Sequence, residues 1–189
     1  MKQTLTLILG LILLTPGANA QMNKPASADL KKGDLFGIAF TLSDFNAPKD
    51  NATTLGVSQM SAGFSVSYWK GLTPKIDFSS KLNVVFHDYA LRYNGKTGKT
   101  EMGIELEPTI NIRPIKDANM WSPFLTTGLG LGLYTGRLGA YVPLGGGLQL
   151  NANGVTYFFL QAAYKVSLTK NIVPNNLFYS IGFAETIEW

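Results

Sequence analysis

Residues 101–113 read EMGIELEPTINIR, and the alternation in this stretch decides the fold. One set of alternate positions is apolar or uncharged: Met102, Ile104, Leu106, Pro108, Ile110 and Ile112. The other set is mostly charged or polar: Glu101, Gly103, Glu105, Glu107, Thr109, Asn111 and Arg113. Successive side chains of a β-strand point to opposite faces, and most strands have only ~5–6 residues. The stretch therefore predicts one long strand that separates an apolar medium from a polar one.

The composition predicts a single folded domain and excludes several classes of function. The chain has 189 residues, 46% of them hydrophobic and 15% charged, whereas roughly 25% charged is usual for a soluble domain. The net charge of +4 is small, and no Lys/Arg cluster is interleaved with aromatic residues, so we expect no nucleic-acid partner. The chain has no cysteine, which excludes disulfides and thiolate metal sites. We expect no metal and no cofactor.

The first 20 residues have the layout of a cleaved secretory signal. Lys2 precedes an apolar run from Leu5 to Leu14, and the small-residue motif Ala18-Asn19-Ala20 follows it. The run is too short for a membrane-spanning helix, which needs about 20 apolar residues. We expect a signal peptide over residues 1–20, an N-terminal periplasmic segment over 21–33 and one domain over 34–189. No second long apolar run follows, so a membrane-spanning helix is not expected. If this domain crosses a membrane, it must do so as a closed β-barrel.

Alternation of apolar and polar residues recurs along the rest of the chain, separated by turn residues. The pattern predicts eight strands, over residues 35–42, 59–69, 76–89, 101–113, 123–134, 141–151, 155–168 and 177–189. Long polar connections alternate with tight ones, as in bacterial outer-membrane barrels. We therefore predict an all-β, eight-stranded, antiparallel, up-and-down transmembrane barrel.

The tryptophans fall at one end of the predicted strands. Trp69, Trp121 and Trp189 would form a periplasmic aromatic girdle, since amphipathic rings prefer the membrane interface. The rival structure is an exported soluble barrel of the lipocalin type, whose apolar faces point inward. The nearly uncharged outer faces, the small and charged residues opposite them, and the terminal aromatic strand all favour the membrane barrel.

Five segments also resemble a known family. They are DLFGIAFTLSDFNA (34–47), SVSYWKGLTPKIDF (65–78), WSPFLTTGLG (121–130), LGAYVPLGGGLQLN (138–151) and FYSIGFA (178–184). These segments are similar to the N-terminal barrel of Bacteroidetes-type outer-membrane protein A relatives, without their peptidoglycan-binding domain. The resemblance implies a place in the Gram-negative outer membrane, contact with outer-membrane lipid and insertion by the barrel-assembly machinery. It also implies that Phe183, Ile187 and Trp189 form the assembly signal in the last strand.

The inward face of the predicted barrel carries charges. An eight-stranded barrel is just wide enough to be filled by its own side chains. We expect a lumen charge network of Asp77, Lys81, Glu105, Glu107 and Arg113 that plugs the barrel, with Lys81 and Arg113 within reach of the acids. An ion-selective constriction built from the same residues is the alternative.

No residue pattern indicates catalysis. His87 is the only histidine; strict alternation from Ile76 turns it inward, whereas a bulge at Val84-Val85 would reverse this. No serine sits in a nucleophile motif, and the glycines of residues 128–132 and 145–147 are expected to admit bulky interior rings such as that of Tyr141. We therefore predict a non-enzymatic, monomeric or weakly associating barrel with a structural, envelope-integrity or loop-mediated role. The alternatives are a small-solute channel and an exported soluble ligand-binding barrel.

Overall fold

A computed structural model describes residues 32–45, 60–87, 100–114, 120–152, 154–169 and 172–187 of the chain. These residues form one antiparallel sheet of nine strand segments. The segments are β1 (Leu35–Asp44), β2 (Ser61–Thr73), β3 (Ile76–His87), β4 (Glu101–Ile112), β5 (Trp121–Gly128), β6 (Gly130–Tyr134), β7 (Arg137–Asn151), β8 (Thr156–Ser167) and β9 (Asn176–Thr186). Within the described ranges no helix is long and apolar enough to cross a membrane.

The sheet closes on itself. Consecutive strands pair with each other except β5 and β6, and β9 pairs with β1 from Leu35↔Thr186 to Asp44↔Leu177. β5 and β6 lie end to end between β4 and β7, so the wall has eight strand positions. Closure removes the unpaired edges of an open sheet. The predicted eight-stranded antiparallel barrel is confirmed, and its fifth strand is interrupted.

The interruption at Leu129 is caused by proline chemistry in the neighbouring strand. The pairs on either side of the gap keep one register: Thr109↔Gly128 and Leu106↔Leu131. The Leu129 amide donates to the Pro108 carbonyl oxygen at 3.1 Å, but Pro108 has no N–H to return a bond. Pro108 therefore leaves a missing ladder bond and does not produce a bulge.

Alternation of burial runs along every strand and places polar residues inside the barrel. In β4 the inward Glu105, Glu107 and Thr109 are at most 1% exposed, while the outward Leu106 is 46% exposed. The same contrast holds around the wall, where the exposed large hydrophobics include Phe40, Leu125 and Ile181. A soluble barrel has the opposite arrangement, with its apolar side chains inside.

The alternation in β3 continues to the end of the strand. Val85 is fully buried and Phe86 is 44% exposed, and the pairing with β4 stays in register as far as His87↔Glu101. A bulge at Val84-Val85 is therefore absent.

The position predicted for Trp69 is wrong. Its indole lies inside the barrel, 2% exposed, with its ring centroid 6.0 Å from that of Phe124 and 5.6 Å from that of Phe159. The strand parity of β2 explains this, because Trp69 shares the inward face with Ser67, whose Oγ accepts a hydrogen bond from the indole Nε1 at 3.0 Å. Trp121 is 52% exposed, and Trp189 lies outside the described residues. Trp69 thus belongs to an interior apolar cluster and not to an interfacial girdle.

Candidate functional site

The barrel interior holds all seven charged side chains that are buried in the described part of the chain. There are four cations and three carboxylates: Lys32, Lys81, Arg113, Lys165, Asp77, Glu105 and Glu107. Five of them lie on inward positions of β3, β4 and β8, whereas Arg113 follows β4 and Lys32 precedes β1. Buried charges persist in proteins when they are paired and hydrogen-bonded. The geometry of this set shows how the pairing is achieved.

The first group lies near the start of β3 and the end of β4. The Arg113 Nη2 donates to Asp77 Oδ1 at 2.7 Å, and both side chains are at most 1% exposed. The Arg113 backbone amide donates to the Lys75 carbonyl oxygen at 2.8 Å, which holds the residue just beyond the strand against β3. Lys32, from the segment before β1, places its Nζ 3.9 Å from Asp77 Oδ2. Asp77 therefore links three parts of the chain.

A layer of neutral polar residues separates this group from the next one. The Ser79 and Thr109 hydroxyls lie 2.7 Å apart, and Asn111 Nδ2 donates to Ser79 Oγ at 2.9 Å. All three side chains are at most 1% exposed. Hydrogen bonding thus continues along the inner faces of β3 and β4 between the two charged levels.

The central group is built around Glu107. Its Oε1 lies 3.4 Å from the Nζ of Lys81, which is the residue directly opposite it in β3, and its Oε2 lies 3.4 Å from the Nζ of Lys165 in β8. Lys81 also donates to Gln161 Oε1 at 2.8 Å. The carboxylate of Glu107 therefore bridges two ammonium groups on strands that do not adjoin each other.

The third group surrounds Glu105. Lys165 Nζ lies 2.5 Å from its Oε2, and Asn83 Nδ2 donates to the same oxygen at 3.2 Å. The Tyr134 hydroxyl donates to Oε1. The Tyr141 hydroxyl lies 3.1 Å from Oε2 of both Glu105 and Glu107. Glu105 is thus held by four side chains and shares Lys165 and Tyr141 with Glu107.

Glycines on the inner wall make room for the two tyrosine rings. A Cβ on Gly130 would lie 2.1 Å from the Tyr141 Cζ. Cβ atoms on Gly103 and Gly132 would lie 2.7 and 2.4 Å from atoms of the Tyr134 ring. Any larger residue would displace the rings, because real Cβ contacts are longer than 3 Å. The glycine-rich fifth strand therefore lets both hydroxyls reach Glu105.

The structure places all five residues of the predicted charge network in the barrel interior, where the central and third groups are joined through Lys165 and the first group is separate. Asp77 and Arg113 form a pair in the first group, and Lys81, Glu105 and Glu107 belong to the two joined groups. Sequence reasoning missed Lys165, although alternation along β8 puts it on the same face as the buried Tyr157 and Gln161. Lys32 was also missed, because it precedes the first strand and no alternation applies to it.

The interior is closely filled at the level of these charges. The inward side chains of β3 from Asp77 to Val85, and those of β4 from Glu105 to Asn111, are at most 3% exposed. In the described ranges no group of three or more His, Cys, Asp and Glu residues is placed to hold a metal ion. The arrangement is that of a packed polar core and not of a lined cavity.

Comparison with solved structures identifies the class of fold. Ail, the attachment invasion locus protein of Yersinia pestis, matches with a TM-score of 0.54 and 12% identity, over 82% of this chain and 99% of that one. The N-terminal β-barrel domain of Pseudomonas aeruginosa OprF matches with a TM-score of 0.56 and 11% identity, over 82% and 98%. The P. aeruginosa outer membrane protein OprG matches with a TM-score of 0.56 and 14% identity, over 86% and 99%.

At these identities the likeness establishes the fold alone. No family model and no curated protein matches the chain. The chain has the fold of the eight-stranded outer-membrane β-barrels, and its apolar exterior and charged interior agree with that class.

Proposed function

We propose that this protein is a non-enzymatic barrel of the Gram-negative outer membrane that acts through its wall and its loops, with a closed interior. The observation that carries the proposal is the inversion of polarity across β4, where Glu105 and Glu107 are buried and Leu106 between them is exposed. An apolar exterior over the whole wall is favourable in lipid and unfavourable in water. A structural, envelope-integrity or loop-mediated role follows from this location together with a filled lumen.

The closed interior argues against the small-solute channel. Conduction needs a water-filled path, and the hydrogen-bonded charges span the lumen from β3 and β4 to Lys165 in β8. Moving them apart would leave buried charges unpaired, which is costly. The connections that follow β1 and β3 in the chain, residues 46–59 and 88–99, lie outside the described residues and are the expected sites of contact with partners.

Two measurements test the proposal. The protein should fractionate with outer membranes and migrate faster on gels before heating than after it, as folded barrels do; a soluble, heat-insensitive product would remove the membrane assignment. In planar lipid bilayers the purified protein should show no stable unit currents under conditions in which a known porin conducts. Reproducible unit currents would replace the closed barrel with the channel.

A catalytic role for His87 can be tested directly. The described structure places its backbone at the end of β3, opposite Glu101. We expect no lipid A deacylase activity in the purified protein. Activity that is lost on His87→Ala would contradict the non-enzymatic proposal.

We also propose that the last strand is the signal read by the barrel-assembly machinery, with Phe183, Ile187 and Trp189 as its aromatic and apolar residues. Phe183 is 41% exposed on the outer face of β9, and the Ile187 amide donates to the Asp34 carbonyl oxygen at 2.8 Å at the closing seam. Phe183→Ser should reduce insertion in cells more than the outward substitution Leu82→Ser. Equal insertion of the two variants would argue against a special role of the last strand. The monomeric state and the Bacteroidetes type remain predictions from the sequence.

A further inference from the structure

Lys32 enters the end of the barrel at which β1 begins and β9 ends, which we call the terminal mouth. Its side chain is 1% exposed although the residue precedes the first strand. The Nζ lies 4.5 Å from the centroid of the Tyr157 ring, 5.4 Å from that of Trp69 and 3.9 Å from Asp77 Oδ2. Both rings are within the ~6 Å range of cation–π attraction. Two aromatic faces and a carboxylate therefore surround one primary ammonium group.

The wall is shaped for the backbone of Lys32 as well as for its side chain. A Cβ on Gly71 would lie 2.5 Å from the Lys32 carbonyl oxygen and 2.8 Å from its amide nitrogen. The register between β2 and β3 shifts at the same place, between Gly71 and Thr73. Only glycine at position 71 allows the Lys32 backbone to come this close to β2. This contact, which we call the seat of Lys32, is where the segment before β1 packs against the wall.

The neighbouring Lys70 does not share this environment. Lys70 lies at the same mouth but is 54% exposed, and its Nζ is 3.7 Å from Asp34 Oδ2. An exposed pair of this kind contributes little to stability. Lys32, in contrast, is enclosed by groups that each favour a cation. The difference provides a matched control within the same part of the molecule.

We propose that Trp69, Tyr157 and Asp77 form a binding site for a primary ammonium group at the terminal mouth, and that Lys32 occupies this site and closes the mouth from within. When the ammonium of Lys32 is removed, the site accepts a small alkylammonium ion in its place. Closure of the mouth thus depends on a residue that precedes the barrel wall.

The accessibility of Trp69 to a quencher in water reports on this closure. Replacing Trp121 and Trp189 with phenylalanine leaves Trp69 as the sole tryptophan of the chain. In this background, folded into lipid vesicles and checked by heat-modifiable gel mobility, acrylamide should quench Trp69 weakly. Lys32→Met, which keeps an unbranched apolar chain, should raise the quenching constant severalfold, while Lys70→Met should leave it unchanged.

A second variant covers the case in which Lys32→Met does not fold. Gly71→Ala retains every charge and ring of the site but removes the seat of Lys32, and it should also raise the quenching of Trp69. If Trp69 stays as protected as in the parent in whichever of these variants folds, the proposed closure by Lys32 is wrong.

Chemical rescue tests the class of ligand. Millimolar propylammonium chloride added to Lys32→Ala, whose short side chain leaves room for the propyl chain, should restore the protection of Trp69 in a saturable manner. Propanol at the same concentration and sodium chloride at the same ionic strength should not restore it. Equal protection by propanol, or no protection by propylammonium, would overturn the assignment of an ammonium site.

Discussion

Removal of Lys165 tests the idea that the interior charges hold the barrel together. Its side chain is fully buried, with Nζ 2.5 Å from Glu105 Oε2 and 3.4 Å from Glu107 Oε2. Lys165→Met keeps most of the volume and removes the cation. Glu107 then retains Lys81 at 3.4 Å, while Glu105 retains only neutral donors such as the Tyr134 and Tyr141 hydroxyls.

The expected loss follows from leaving a buried carboxylate without its cation. Breaking a buried ion pair by removing one partner costs about 3–5 kcal/mol, whereas an exposed pair contributes roughly 0.2–1 kcal/mol. Lys165→Met should therefore lower the free energy of unfolding by about 3–5 kcal/mol, or roughly 10²- to 10⁴-fold in the unfolding equilibrium. Lys70→Met, which breaks the exposed pair with Asp34, should lower it by less than about 1 kcal/mol.

Urea unfolding in lipid vesicles, followed by tryptophan fluorescence and by heat-modifiable gel mobility, measures both losses. The double variant Lys165→Met/Glu105→Gln should recover about 1–3 kcal/mol relative to the sum of its single variants, because the unpaired charge is gone. The reasoning is refuted if Lys165→Met costs no more than Lys70→Met. It is also refuted if the second substitution merely adds its own loss.

Three further outcomes are expected in the same unfolding assay. Leu106→Arg, at mid-strand on the outer face, should cost about 2–4 kcal/mol and Ile112→Arg, at the strand end, at most about 1 kcal/mol; equal costs would contradict a lipid-facing wall. Gly130→Ala should cost about 1–3 kcal/mol because the new methyl group displaces the Tyr141 ring. In a Tyr141→Gly background, which lacks the ring, the same substitution should cost little; an equal loss in both backgrounds would contradict the clash. Pro108→Val restores a ladder donor, which contributes about 0.5–1.5 kcal/mol, but it also makes the unfolded chain more flexible, which costs about 0.4–1 kcal/mol. The free energy of unfolding should therefore change by at most about 1 kcal/mol, and a loss above about 2 kcal/mol would show that the proline is required.

The sequence was sufficient for the topology because the signal for each strand is local. Period-two alternation defines both faces of β4 without any knowledge of its neighbours, and the same holds for the last strand. The interruption at Leu129 was not predicted at that residue, because it depends on which residue faces Pro108 across the ladder. That partner is set by register, which alternation alone leaves open.

The errors in the interior have the same origin. The preference of tryptophan for membrane interfaces predicts that Trp69 belongs to the girdle. The alternation along β2 instead puts it on the inward face with Ser65 and Ser67. The sequence around Lys165 contains no acidic partner, because both of its carboxylates are on β4, across the lumen. Lys32 could not have been found by periodicity, since only the folded wall at Gly71 gives it a place.

The charges contribute something that the apolar wall cannot, namely the choice among registers. A slip of one residue between β3 and β4 would turn every outward side chain inward, so the lipid itself opposes it. A slip of two residues would keep each side chain on its own face, and lipid does not distinguish the two registers. That slip would set Glu107 opposite Ser79 or Asn83 instead of Lys81, and would leave a buried carboxylate farther from its cross-strand cation. The interior network therefore selects the register that the outer face leaves open, and a filled, charged lumen is part of how this barrel reaches one structure.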